Sequence, residues 1–177
     1  PYKSVKESTA GCLSLLMKDG VVCNITTSKR SGVAQFVFPT DNEEGTVLVG
    51  SGVSSTELSN AFIKITSPSS CEGYAEGGDF CGYKTDYRIF FAAEFDHEAK
   101  DFGTWKGDNL KKDRNQIGGA KSGGYFTFDT TKGNIIEYKV AISYVSIENA
   151  KENLRLDNNK RNYQQVLSDT RNEWNKH

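Results

Sequence analysis

In residues 134–145, NIIEYKVAISYV, the side chains change character at every second position. Ile136, Tyr138, Val140, Ile142 and Tyr144 fall on one side of an extended chain, and Glu137, Lys139 and Ser143 fall on the other. A helix would repeat its apolar positions every three or four residues instead. The alternation predicts a half-buried antiparallel strand.

The same reading extends upstream. Residues 11–18 and 21–28 are β-rich runs joined by Lys18-Asp19-Gly20, which predicts a hairpin with a two-residue turn at Asp19-Gly20. Further strands are predicted at 33–38 (VAQFVF), 46–50, 60–66, 85–95 and 124–129 (GYFTFD). Eight or so strands separated by turn signals imply a mainly β protein, an antiparallel β-sandwich or barrel. The polar, Gly-rich segment 103–124 reads as a surface excursion between two strands, since strands resume after it.

Downstream, the character changes at Ser146. Ser146 is placed to cap a helix, with Glu148 in its first turn to complement the helix dipole. Ile147, Ala150 and Leu154 recur at helical spacing before Asp157-Asn158-Asn159 interrupts. A second helix is predicted from about Asn162, with Tyr163, Val166, Leu167, Thr170 and Trp174 along one stripe. The stripe runs to the last residues, so the natural protein is expected to continue. The organisation expected is a sandwich over 1–145 and connecting helices over 146–177.

Composition excludes some functions. The 177 residues carry 22 basic and 23 acidic side chains, intermixed, for a net charge of −1. No basic stripe exists to neutralise phosphates, so nucleic acid is not an expected partner. No apolar run approaches the roughly 20 residues of a membrane-spanning helix, so no membrane partner is expected either. The chain begins at Pro1 and its single methionine is Met17, so a native start is expected upstream.

Of the four cysteines, none forms a C-x-x-C pair, and His97 and His177 lack metal-type spacing to them, so a zinc site is not expected. Cys71 and Cys81 flank CEGYAEGGDFC, read as a Gly-rich loop that closes as a disulfide. A two-residue turn would set Leu16 opposite Cys23 and Cys12 opposite Thr27. The two sulfurs would then lie about 13 Å apart along the strands, beyond disulfide reach, so both are read as buried thiols. Asn24-Ile25-Thr26 is a candidate glycosylation site and fits secretion.

No G-x-S-x-G elbow, P-loop, dinucleotide-binding glycine pattern or H-E-x-x-H occurs. His97, between Asp96 and Glu98, could act as a base tuned by acids, but reads more simply as an exposed loop histidine. Glu94 with Asp96 and Asp108 with Asp113 are the available carboxylate pairs for glycoside chemistry, and both read as solvated surface pairs. Aromatic residues are a stronger theme: Phe102, Trp105, Tyr83, Tyr87 and Tyr125 lie in or near loops. Trp105, in FGTWKG, is the candidate for stacking on a sugar; its alternative role is to anchor a loop to the sandwich.

Three stretches together resemble glycoside hydrolase family 92: the run from Leu16 to Gly32 with Asp-Gly, paired threonines and Arg-x-Gly; YRIFFAAEFDHEAKDFGTW at Tyr87–Trp105; and YKVAISYVSIENAKENL at 138–154, followed by a helix ending in Trp174-Asn175. The resemblance implies an exo-acting, calcium-dependent, inverting α-mannosidase, built as an N-terminal supersandwich-like domain, connecting helices and an (α/α)6 catalytic domain. It places this chain in the sandwich and the first helices. The family's opening Pro-Phe-Gly-rich segment would precede Pro1. The general acid, general base and calcium ligands would belong to the downstream catalytic domain, so no catalytic or metal residue carries over to this chain. The implied partners are that domain and mannose-containing glycans, and the implied location is secreted, extracellular or periplasmic. The rival reading is a free-standing carbohydrate-binding or cell-surface adhesion sandwich.

Overall fold

The structure, a computed structural model, describes residues 2–53, 58–80, 83–158 and 160–176. Its strands are β1 (Tyr2–Thr9), β2 (Cys12–Met17), β3 (Val22–Thr27), β4 (Ser31–Val37), β5 (Glu44–Gly50), β6 (Leu58–Ser67), β7 (Ser70–Phe80), β8 (Tyr83–Phe95), β9 (Asp101–Lys106), β10 (Asn109–Lys111), β11 (Gln116–Gly118), β12 (Ser122–Asp129) and β13 (Ile135–Ser143). Helices α1 (Ile147–Asn158) and α2 (Tyr163–Trp174) follow. The strands form two antiparallel sheets. The larger has nine strands in the order β1-β2-β3-β4-β13-β8-β7-β6-β11, and the smaller has four in the order β10-β9-β12-β5. The architecture is therefore an antiparallel sandwich with C-terminal helices, and neither sheet closes on itself.

The core lies between the sheets. Phe126 and Phe128 of β12 meet Phe95 of β8, with ring centroids 4.8 and 5.0 Å away. Ile63, Ile65, Ala93 and Ile136 complete it from the large sheet, and Val47 and Val49 from the small one. Each large apolar side chain buried here contributes roughly 1.5–3 kcal/mol.

Strand β13 departs from the half-buried expectation. Ile136, Tyr138 and Val140 do face the core, but Glu137, Ala141 and Ser143 are buried too, because the helices cover the opposite face of the sheet. Ala141 and Ala92 meet Ala150 and Leu154 of α1. Val33 and Cys12 meet Tyr163, Val166 and Leu167 of α2. The α2 stripe thus already has a partner over its first two turns, and only its end, Trp174, is exposed (57%).

Two turn readings change. The β2–β3 loop has three residues, Lys18 to Gly20, closed by Met17 N–H to Val21 O at 2.8 Å, with Gly20 at φ 90°. That shifts the register by one residue, so Leu15 opposes Cys23 and Leu13 opposes Ile25. Cys12 then points to α2, while Cys23 points to the opposite face of the sheet. Both are free and buried. The expected Cys71 loop is a strand: β7 pairs with β6 and β8 along its length. Cys71 is a free, buried thiol at the start of β7, and the nine residues to Phe80 span roughly 30 Å of extended chain. The Cys71–Cys81 bridge therefore has no short loop to close, and Cys81 itself lies outside the described residues. Burial, helped by the adjacent Glu72 charge, pushes the Cys71 thiol up to about 12. Segment 103–124 is not a bare excursion either: it holds the β9–β10 hairpin, β11 on the edge of β6, and the start of β12. Strand β1, polar and exposed along almost its whole length, gave no alternation to read.

Candidate functional site

Trp105 sits on β9 with Gly123 opposite it on β12, and Gly123 in turn faces Gly50 on β5. A Cβ at Gly123 would stand 2.7 Å from the indole carbons and 2.1 Å from Val49 O; at Gly50 it would stand 3.7 Å from the ring. The indole thus lies over a pair of glycines, and its Nε1–H donates to Gly124 O at 3.1 Å. One ring face is spent on the protein's own backbone, as in the anchoring role. Phe102 packs on Phe126 in the core. Tyr125 is 2% exposed; burial and the Asp101 charge push its phenol up. Tyr87 is exposed, and the side chain of Tyr83 lies outside those described.

Asp96 accepts the Glu137 backbone N–H at 2.8 Å and pairs with His97 Nδ1 at 2.8 Å. Glu94 faces Lys139 across the β8–β13 ladder. Asp108 and Asp113 are exposed in the loops either side of β10. Among the described residues no group of three or more His, Cys, Asp and Glu side chains comes together to hold a metal ion.

The most elaborate polar assembly joins the large sheet to the helices. Ser14 Oγ donates to Asn24 Oδ1 (2.7 Å), Asn24 Nδ2 to Gln35 Oε1 (3.3 Å), and Gln35 Nε2 to Glu137 Oε1 (3.3 Å). Both Glu137 oxygens accept the Tyr163 N–H at 3.1 Å, placing a carboxylate at the start of α2, where helix N–H groups lack partners. The Asn24 amide nitrogen, the candidate glycan attachment point, is therefore engaged with Gln35. Asn162 and Gln165 close a reciprocal capping box at the same end. A second clamp holds the end of α1: Asp157 accepts from Ser28 Oγ (2.8 Å), Arg30 N–H (2.9 Å) and the Arg30 guanidinium (2.7 Å). Burial alone would raise the Asp157 carboxyl, but these donors outweigh it and hold it below the usual carboxylate range. Ser146 caps α1 through its Oγ, which accepts the Asn149 N–H at 3.0 Å.

Sequence reasoning missed one surface cluster. Phe62, Tyr74 and Phe90 form a cross-strand row, with centroids 5.8 and 6.2 Å apart. Arg88 lies over Tyr74 at 4.6 Å and pairs with Glu76. The three rings are scattered in sequence, and only the β6–β7–β8 register brings them together.

Residues 2–143 match the glycosyl hydrolase family 92 N-terminal domain. The chain belongs to this family. Solved structures carry the same fold. The family GH92 inverting mannosidase BT2199 of Bacteroides thetaiotaomicron VPI-5482 superposes with a TM-score of 0.83 at 22% identity, over 96% of this chain and 22% of that one. The family GH92 α-mannosidase BT3965 of Bacteroides thetaiotaomicron, solved in complex with mannoimidazole, gives 0.81 at 18% identity, over 94% and 22%. This family 92 N-terminal domain thus spans about a fifth of the length of those enzymes. No curated protein matches the chain.

Proposed function

We propose that this domain is the non-catalytic N-terminal part of a secreted, calcium-dependent, inverting α-mannosidase acting on mannose-containing glycans. The observation that carries the reading is the family match over residues 2–143. Two mannosidases with the same fold, at low identity, are consistent with it. The polar clamps at Glu137 and Asp157 fit a scaffold: they fix α1 and α2 to the large sheet, so that helices leading toward a catalytic domain leave the sandwich in a set direction.

Among the described residues no three acidic, histidine or cysteine side chains converge. In this reading the ion belongs to the (α/α)6 catalytic domain, with the acid and the base. The acid would protonate the leaving oxygen while the base activates a water on the opposite face of the sugar. The sandwich would close one side of the pocket.

The test uses the full-length protein beside residues 1–177. The full-length protein is expected to release mannose from an α-mannoside, with the β-anomer appearing first by proton NMR, and to lose activity on chelation and regain it with calcium. Residues 1–177 alone are expected to be inert. Turnover by the isolated chain, or glycan binding by a full-length protein that never hydrolyses, would overturn the reading, the second outcome in favour of a carbohydrate-binding sandwich.

A further inference from the structure

Asn24-Ile25-Thr26 has the pattern of an N-glycosylation acceptor, a pattern suited to exposed loops, yet it lies inside the large sheet. β4 pairs β3 over Val22–Thr27, and β2 pairs it over Val22–Ile25. Two-residue spacing puts Asn24 and Thr26 on one face of the strand, the face that carries α2. Thr26 is 1% exposed, and its hydroxyl donates to Gly11 O at 2.8 Å. Asn24 is held from both sides, by Ser14 at its amide oxygen and by Gln35 at its nitrogen. Tyr163 closes over the pair. Its N–H is fixed at Glu137 on β13, and its hydroxyl stands 3.8 Å from Cys12 Sγ on β2. Since β4 and β3 lie between those two strands, the ring crosses above them, where Asn24 and Thr26 stand. Tyr163 is 3% exposed, so the layer between α2 and β3 is filled.

We infer that a glycan on Asn24 and a docked α2 exclude each other, so that the site accepts sugar only before the helix packs. In the transfer, Asn24 Nδ2 attacks the anomeric carbon of a diphosphate-activated sugar. The N–C bond forms, the bond from that carbon to the diphosphate oxygen breaks, and one amide proton leaves to a base of the transferase. The product nitrogen keeps one hydrogen and carries a sugar ring in place of the other. That ring has to enter the layer that Tyr163 fills. It displaces the Tyr163 side chain and, through Gln35, the Glu137 carboxylate that holds the start of α2. In the folded chain the same contacts close the site, because a transferase would have to part β3 from its neighbours and lift the helix. On a growing chain Asn24 is free long before Glu137 and Tyr163 are made, which leaves an interval in which the site is open. The exclusion is independent of any glycosidase activity; the secreted location in the proposed function is what would bring the chain to a transferase.

The test gives a soluble N-glycosyltransferase and UDP-glucose two acceptors of the same sequence, folded residues 1–177 and their tryptic peptide 19–29, DGVVCNITTSK. The folded chain is expected to take glucose at Asn24 at least about tenfold more slowly than the peptide, since it reacts only when the sheet opens and α2 lifts. A second arm co-expresses chain and transferase, so that the sugar meets the nascent chain, and peptide mass mapping locates it. In the glucosylated chain the Tyr163 amide is expected to exchange with deuterium at least about tenfold faster than in the unmodified chain; recovery of that form only unfolded meets the same expectation. A smaller ratio between peptide and folded chain, co-expression that yields no glucose at Asn24, or a smaller change in exchange at Tyr163 would each overturn the inference.

Discussion

Replacing Glu137 with alanine isolates the join between sandwich and helix. Glu137 is 9% exposed, and both its oxygens accept the Tyr163 N–H while one also accepts from Gln35. Glu137→Ala strands that buried N–H, at a cost of roughly 1–3 kcal/mol. It also removes a charge from the helix N-terminus, worth about 0.3–1 kcal/mol more. The Asn162 capping box persists, so α2 itself should remain helical and the loss should fall on docking. A total near 2–3 kcal/mol lowers the melting midpoint by about 5–10 °C in a domain of this size. Glu137→Gln keeps an acceptor but loses the charge, and should fall by less than about 4 °C. Thermal melts by circular dichroism give both numbers, and the same melts in a Trp105→Phe background let the fluorescence of Trp174 report from the end of α2. A Glu137→Ala midpoint indistinguishable from the parent would show that the carboxylate does not hold the helix, and the scaffold argument would lose its anchor.

Trp174→Ala, by contrast, should move the midpoint by no more than about 2 °C, since an exposed side chain contributes within about 0.5 kcal/mol; a drop as large as that of Glu137→Ala would mean that the helix end packs tightly on the sandwich. Asp157 has its carboxyl held low in the folded chain, so the stability it supplies is present above the unfolded value near 3.8 and fades as pH falls through the lower folded one. Asp157→Asn should therefore flatten the acid limb of the stability–pH curve below about pH 4, and an unchanged limb would remove Asp157 from the acid response. Cys71 should resist a maleimide in the folded chain at pH 8 and react in urea without reductant, as read by peptide mass mapping; a requirement for reductant would point to a bridged sulfur.

Much of this fold is legible because burial leaves a period in the sequence. The β13 alternation and the α2 stripe both follow from one-sided burial, and both elements appear where the pattern put them. The readings fail where burial is two-sided or absent. Glu137 and Ser143 look like a solvent face until α1 and α2 cover them, and β1 carries no apolar signal because it is an exposed edge. The glycines of 71–81 suggested a loop, yet at Gly73 a Cβ would stand 2.0 Å from Phe62 O, so the residue marks close strand approach. Trp105 was legible as an anchor or a platform, and only the facing glycines separate the two. The Glu137 and Asp157 clamps were not legible, because their partners lie 26 to 129 residues away.

The order of the large sheet has a consequence for how the chain acquires its structure. β1 to β4 form one local meander and β6 to β8 another, and among the described residues β13 is the strand that bridges them, pairing Gln35 with Glu137 and Glu94 with Lys139. On a ribosome the two meanders emerge as separate hairpin arrays, each with an unpaired edge, until about a hundred further residues have followed the first. Closing such long loops is entropically costly and slow. Synthesis through β13 is therefore the commitment step: before it the chain holds two half-sheets prone to pairing with neighbours, and after it one sheet onto which the helices can dock.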